Sequence, residues 1–349
     1  MNKLLIASDS FKGSLTSIEI GNIFKGVNPS TKILSISDGG EGFVESVVFN
    51  SPEAKLIKVK TFDEKMKEIE VEVAVIDNDA YIDVASVVAL HNYPNESAIH
   101  KSSFGVGHLI KSLDESKKYK KIFIGLGGAS TSDGGFGAAL GFGVKFLDSD
   151  DKEIKDLSSI CKCKNIIIPK INVNVIGYSD VTNELNGTNG AVSVFGTQKW
   201  LTDKEKETLS KNIEAFSKDS KNAIKQGAGA AGGLGYFIYE FLDGNLMSGI
   251  NKILELSQLS KLSEDADILI TGEGRFDNQS FFGKVPIEVA KASKTKNILI
   301  AGSIEADESE LKKYFHSWYS LKREDETVDE CIIATEDRLK VIAKEIAEI

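Results

Sequence analysis

Cysteine is nearly absent from this 349-residue chain, which holds only Cys161, Cys163 and Cys331. Three are too few for a disulfide scaffold, and Cys161-Lys-Cys163 has no partner ligands at a zinc spacing. Histidine is almost as scarce. His91, His100, His108 and His316 are scattered and none lies in a glycine-rich loop, which argues against His-based catalysis or zinc. No apolar run approaches the roughly twenty residues of a membrane span. The opening MNKLLIASDS carries one lysine and a short apolar run ending at Asp9, without the length or cleavage site of a signal peptide. A soluble cytoplasmic protein without a membrane partner is expected. Basic charge is also short: 42 Lys and Arg stand against 52 Asp and Glu, a formal charge of −10. That balance speaks against general affinity for nucleic acid, so a small anionic substrate would need focused local cations.

Two familiar phosphate signatures are missing as well. TGEGRFDNQSFFGKV at 271–285 offers a Gly-Lys pair, but eight residues separate Gly274 from Gly283, and Val285 follows Lys284 where a Walker A loop has Ser or Thr. GLGGAS at 125–130 follows an apolar run yet lacks the third glycine of a dinucleotide fingerprint.

What is present is a set of six glycine-rich or acidic loops: SDSFKGS at 8–14, SDGGEG at 37–42, GLGGASTSDGG at 125–135, SDVTNELNGTNGA at 179–191, QGAGAAGGLG at 226–235, and 271–284. Any one of them reads as ordinary turn and cap residues. Together they suggest one shared crevice, in which backbone N–H groups face an anion and carboxylates hold a metal. Asp9, Asp38, Glu41, Asp133, Asp180, Glu273 and Asp277 supply acid suited to Mg²⁺ near phosphates, since that ion prefers hard oxygen ligands. Lys12, Lys199, Arg275 and Lys284 are the matching cations, for a substrate carboxylate and for phosphoryl oxygens.

Short apolar runs at 3–7, 33–36, 122–125, 173–176, 268–270 and 298–301 alternate with amphipathic segments, the pattern of an α/β fold with a mainly parallel sheet. The loops then fall at strand C-terminal ends, which line the ligand crevice of open α/β sheets. Residues 56–84 differ: polar and apolar residues alternate around Asp77-Asn78-Asp79, predicting antiparallel strands and a change of domain nearby. Helices are expected over 107–115, 203–216, 235–242 and 337–346.

As a set these loops resemble the bacterial glycerate kinase family, glycerate 2-kinases included. The similarity runs from IASDSFKGSL through SDGGEG, SFGVG at 103–107, GLGGASTSDGG, SDVTNELNGTNGAVSVFGTQK and QGAGAAGGLG to TGEGRFDNQSFFGKVP. This chain departs from the family pattern at Ser8, at Glu184–Thr188 and at Phe104 and Val106. The resemblance implies two unlike α/β domains with the active site in the cleft between them. One is Rossmann-like with a mainly parallel sheet (1–60 and 245–349); the other, at 61–244, is inserted and holds a mixed sheet. It also implies ATP-dependent, Mg²⁺-dependent phosphorylation of D-glycerate, with 2-phosphoglycerate favoured over 3-phosphoglycerate. The alternatives are a kinase of another hydroxy acid or a non-catalytic nucleotide or sugar-acid binder. Either monomer or homodimer is compatible with it.

On that reading Asp180 orients or deprotonates the attacking hydroxyl, with Asp9 the next candidate, and Lys12 meets the phosphates. Asp9, Asp38 and Glu273 are candidates for the metal and Arg275 for the glycerate carboxylate. The substrate and nucleotide set comprises Ser10, Lys12, Gly39, Gly40, Gly127, Gly128, Ser130, Asn183, Lys199, Gly229, Gly232, Arg275 and Lys284.

Overall fold

The computed structural model describes residues 2–11, 13–40 and 42–348, so Lys12 and Glu41 lie outside the described residues. The chain separates into two compact units. One comprises Met1–Asp38, Glu45–Pro52 and Gly249–Ile349; the other comprises Gly39–Val44 and Glu53–Ser248.

The first unit is built on a five-stranded sheet in the spatial order Ser317–Ser320, Lys296–Glu305, Ile268–Asp277, Leu4–Ile6, Lys32–Ile33, with every neighbouring pair parallel. Alternation along the strands sends Leu4, Ile6, Ile270 and Ile300 into a core with Phe24, Leu339 and Ile346, whereas Leu299 and Ala301 pack with Ile287 and Phe315. Helices therefore cover both faces, as a parallel sheet requires. Ser17–Val27 begins at a capping box, in which Thr16 Oγ1 accepts from Glu19 N–H at 3.2 Å and Thr16 N–H donates to Glu19 Oε2 at 2.8 Å. The C-terminal helix, Val328–Glu348, extends well beyond the 337–346 read from its pattern.

One expectation needs correction here. Residues 271–277 were expected in a loop, but Ile268–Asp277 is a single ten-residue strand paired with Lys296–Glu305. Its glycines make this possible. A Cβ at Gly272 would sit 2.0 Å from Ile300 O, and one at Gly302 would sit 2.3 Å from Gly274 O. Only Asn278–Phe281 and the residues up to Lys284 form the turn into the helix Val285–Ala292.

The second unit holds a six-stranded mixed sheet in the order Asn245–Met247, Asn174–Tyr178, Lys121–Gly125, Asp79–Asp83, Glu68–Ile76, Lys55–Phe62. The first four are parallel and the last two antiparallel. The alternation read over 56–84 has the expected cause: Val71 and Val73 are buried while Glu70 and Glu72 are exposed. Phe104–Glu115 and Phe136–Phe142 approach each other so closely that a Cβ at Gly107 would lie 1.8 Å from Ala138 O and one at Gly141 2.0 Å from Phe104 O. Among the described residues no helix is long and apolar enough to cross a membrane.

These contacts separate two kinds of glycine. Gly107→Ala drives a methyl into backbone and should cost about 3 kcal/mol or more. Gly26→Ala, in the exposed last turn of Ser17–Val27 with nothing within 4 Å of its Cβ position, should gain about 0.5–1 kcal/mol from helix propensity. Urea unfolding followed by circular dichroism measures both, and similar effects at the two sites would contradict the packing described.

Candidate active site

Counted along the chain, the strands of the first unit lie in the order 2-1-3-4-5. The topological switch point falls between Leu4–Ile6 and Ile268–Asp277, because connections leave these neighbours toward opposite edges of the sheet. Ligands of open α/β sheets bind outside the strand carboxyl ends at such a point. Two of the six loop segments meet there. Ala7 N–H donates to Ile270 O at 2.8 Å and Asp9 N–H to Gly272 O at 3.0 Å. Ser8 Oγ stands 3.1 Å from where a Gly272 Cβ would be. Asp9 Oδ1 accepts from Ser10 N–H at 2.7 Å, an arrangement that holds the turn after the first strand.

Glu273 follows immediately on the neighbouring strand. It is 8% exposed, and its Oε1 is buried without a hydrogen-bond partner. Its Oε2 faces Lys284 Nζ at 3.5 Å. Burial pushes the Glu273 carboxyl above the ordinary carboxylate range, against the lowering effect of Ser280 and Lys284. Thr271, two residues back on the strand, has a buried hydroxyl that is likewise unpartnered. Lys284 also approaches Asp277 Oδ1 at 3.9 Å, and it caps the start of Val285–Ala292. Arg275 is different. Its guanidinium is exposed and pairs with Glu305 Oε2 at 2.7 Å on the adjacent strand, as the Arg275–Ser303 register permits. A buried acid with one open oxygen, beside a half-exposed lysine, is a pair able to receive a cation or hydrogen-bond donor and an anion side by side.

In the second unit the remaining loops gather at the carboxyl ends of the parallel strands. Gly125 pairs with Asp83, and Gly39 O and Asp83 Oδ1 each lie 2.8 Å from a Gly125 Cβ position. Gly40 O accepts from Phe43 N–H at 3.3 Å, which tethers the end of SDGGEG. Asp180 is exposed in the loop following Asn174–Tyr178. Nearby, Asn183 O accepts from Gly229 N–H at 2.9 Å, joining that loop to QGAGAAGGLG. Gly232 approaches Thr131 O so closely that a Cβ would be 1.9 Å away. Gly127 and Gly128 are partly exposed; Gly128 adopts φ +69° and its carbonyl accepts from Leu90 N–H at 2.8 Å. Close packing of loop on loop accounts for Gly229 and Gly232. Since the N–H groups of Gly229 and Ser130 already donate to carbonyls of the protein, other groups of these loops are the ones open to a ligand.

Beneath the loops is a buried polar cluster. Asp133 accepts from the N–H groups of Ser103, Gly135 and Gly137 at 2.9–3.1 Å and from Ser103 Oγ at 2.9 Å. Lys199 is 4% exposed and donates to Thr131 O at 2.7 Å. Ser130 Oγ donates to the buried Glu64 carboxylate at 3.2 Å. The Lys101 ammonium lies 5.2 Å from the Trp200 ring centroid. Ser103, Glu64 and Lys101 were not singled out as site residues from the sequence. A parallel with Asp133 at long range offers no local signal, although the SFGVG segment did mark the neighbourhood.

Acidic and basic groups at a sheet switch point, with glycine-rich loops along strand carboxyl ends, form the kind of site in which α/β proteins bind small anionic ligands. Comparison with known proteins defines the family. The glycerate kinase family profile matches residues 4–349. The glycerate kinase of Halalkalibacterium halodurans is 34% identical over 377 residues, covering 100% of this chain and 98% of that protein. The glycerate 2-kinase of Escherichia coli is 32% identical over 371 residues, covering 99% and 97%. A crystal structure described as glycerate kinase 2 from Salmonella typhimurium LT2 superposes with a TM-score of 0.80 at 27% identity, covering 99% of this chain and 97% of that one. The chain belongs to the glycerate kinase family.

Burial lowers the Lys199 pKa from 10.5 to about 8, more than the nearby Asp133 charge raises it. Between those values the unfolded chain holds a proton that the folded protein has lost. The contribution of this group to stability therefore rises as pH rises through about 8 and is complete above the unfolded value. Relative to K199M, the wild type should gain about 2–3 kcal/mol between pH 7 and pH 10. Urea unfolding of both proteins across that range reads the difference; a gap independent of pH would contradict the buried ammonium.

Proposed function

We propose that this protein transfers the γ-phosphoryl group of ATP to D-glycerate in the presence of Mg²⁺, giving 2-phosphoglycerate. Family membership supports glycerate as acceptor, and the Escherichia coli relative, named as a glycerate 2-kinase, supports the 2-hydroxyl. The observation that carries the reading is the switch point, where Asp9 and the open, buried oxygen of Glu273 come to the ends of adjacent strands.

Mg²⁺ is usually held by one or two carboxylates together with substrate phosphates and water. Among the described residues no group of three or more His, Cys, Asp or Glu is gathered for a metal. A donor set of single carboxylates such as Glu273 suits an ion whose shell ATP completes. Asp9, Asp38 and Glu273 are the proposed candidates, of which one or two would hold the ion, and the ion would supply neutralisation of phosphate charge.

The chain's own residues have the following parts. Asp180, exposed at a strand end, takes the proton of the glycerate hydroxyl as its oxygen bonds to the γ-phosphorus and the bond to the ADP oxygen breaks. Lys12 and Lys284 meet phosphoryl oxygens, and Lys284 exchanges Glu273 for the ligand. Arg275 exchanges Glu305 for the glycerate carboxylate. Ser10, Gly39, Gly40, Gly127, Gly128, Ser130, Asn183 and Lys199 shape the surroundings. The departures from the family pattern are compatible with activity. Val106 is 1% exposed within the apolar core, so a hydroxyl at that position would meet core side chains. Asn186 is anchored to Ser217 Oγ at 2.7 Å. A cytoplasmic location goes with ATP as co-substrate.

A coupled ADP-release assay should show turnover on D-glycerate that EDTA abolishes, and phosphorus NMR should identify 2-phosphoglycerate. Activity on other hydroxy acids but none on glycerate would defeat the substrate, and a pure 3-phosphoglycerate signal would overturn the regiochemistry. Asp180→Asn should lower kcat by roughly 10²- to 10⁴-fold with ATP affinity largely kept. A loss under tenfold would move the proton acceptor elsewhere, Asp9 being next.

A further inference from the structure

Phe282 is 89% exposed, and among the described residues no large apolar side chain is given more freely to solvent. Its backbone is nevertheless held firmly. Asp277 caps the preceding turn, its Oδ1 accepting from Gln279 N–H at 2.9 Å and its N–H donating to Ser280 Oγ at 3.1 Å. Phe282 N–H donates to Gln279 O at 3.0 Å and Lys284 N–H to Ser280 O at 3.3 Å. The preceding ring, Phe281, is anchored edge-on against Phe276 at 5.2 Å. One aromatic of the Phe281-Phe282 pair thus fixes the turn, and the other is presented outward from it.

The residues around that ring point to a ligand type. Gly283 adopts φ +97°, and a Cβ there would meet only Glu288 Oε1 at 4.0 Å, so the backbone is open to close approach. Lys284 follows, its ammonium 3.5 Å from the switch-point carboxylate of Glu273. Asn278 and Gln279 beside the ring are exposed and polar. A single aromatic face in polar surroundings does not make the contiguous apolar patch of a protein interface. It fits a planar π-system with a polar rim, joined to an anion that a lysine two residues away can meet.

We propose that Phe282 is the stacking platform for the purine base of the nucleotide, with Gly283 and Lys284 leading from the base toward the phosphates. The inference rests on ATP as the phosphoryl donor. Because every base presents a π-face, it also implies tolerance among purines rather than strict selection at this residue.

Phe282→Ala and Phe282→Trp test it, with Val341→Ala as a control. Val341 is 57% exposed on Val328–Glu348. F282A should raise the KM for ATP roughly 10- to 100-fold, with a much smaller effect on the KM for glycerate. F282W should restore the ATP KM to within about threefold of wild type, and its added fluorescence, taken as a difference from the wild type with Trp200 and Trp318, should be quenched saturably by Mg-ATP. V341A should leave both constants within twofold. An ATP KM unchanged in F282A, in a protein that binds and turns over ATP, overturns the platform alone. Failure of the wild type to bind ATP would overturn the nucleotide reading and this inference with it.

Discussion

The pairing of Leu4–Ile6 with Ile268–Asp277 is the constraint on which the first unit depends. These strands lie side by side at the centre of the sheet, yet their partners Leu4 and Ile268 are separated in sequence by the whole inserted unit. The five-stranded sheet and the apolar layer of Leu4, Ile6, Ile270 and Ile300 are complete only with that ladder in place. Loop-closure entropy grows only logarithmically, by about 0.6 kcal/mol for each doubling of length, so so large an insertion is tolerable at equilibrium. Its burden falls on rate, because distant contacts form late. The same ladder sets the chemistry, since the hydrogen bond from Asp9 to Gly272 places the first acidic loop one residue from Glu273 on the next strand.

A different constraint shapes the second unit. Its loops and two of its helices approach backbone to backbone at Gly105, Gly107, Gly141 and Gly232, closer than any side chain allows. Such packing leaves little room for water, and the polar groups enclosed beneath it respond as a low-dielectric interior demands. Burial lowers the pKa values of Lys199 and Lys101 and raises those of Asp133 and Glu64, so that each moves toward its neutral form. Hydrogen bonds from Ser103, Gly135 and Gly137 hold the Asp133 carboxylate in spite of that cost. The cluster thereby fixes the base from which the glycine-rich loops rise.

By itself the sequence determined the α/β class, the antiparallel patch over 56–84, most strand positions, four of the helices, and the loops that carry the family's motifs. Those features are local. Alternation at Val71 and Val73 reports a half-buried strand, because it depends on residues a few positions apart. Only the tertiary structure decided that TGEGRFD continues a strand, that Lys199 is buried against Thr131 O, that Ser130 reaches Glu64, and that Arg275 faces Glu305. Periodicity tells which face of an element is hidden, but not which distant element hides it. A lysine or arginine reads alike in the sequence whether its charge meets water, a carbonyl or a carboxylate, and that choice is made by partners brought together from 30 to 68 residues away.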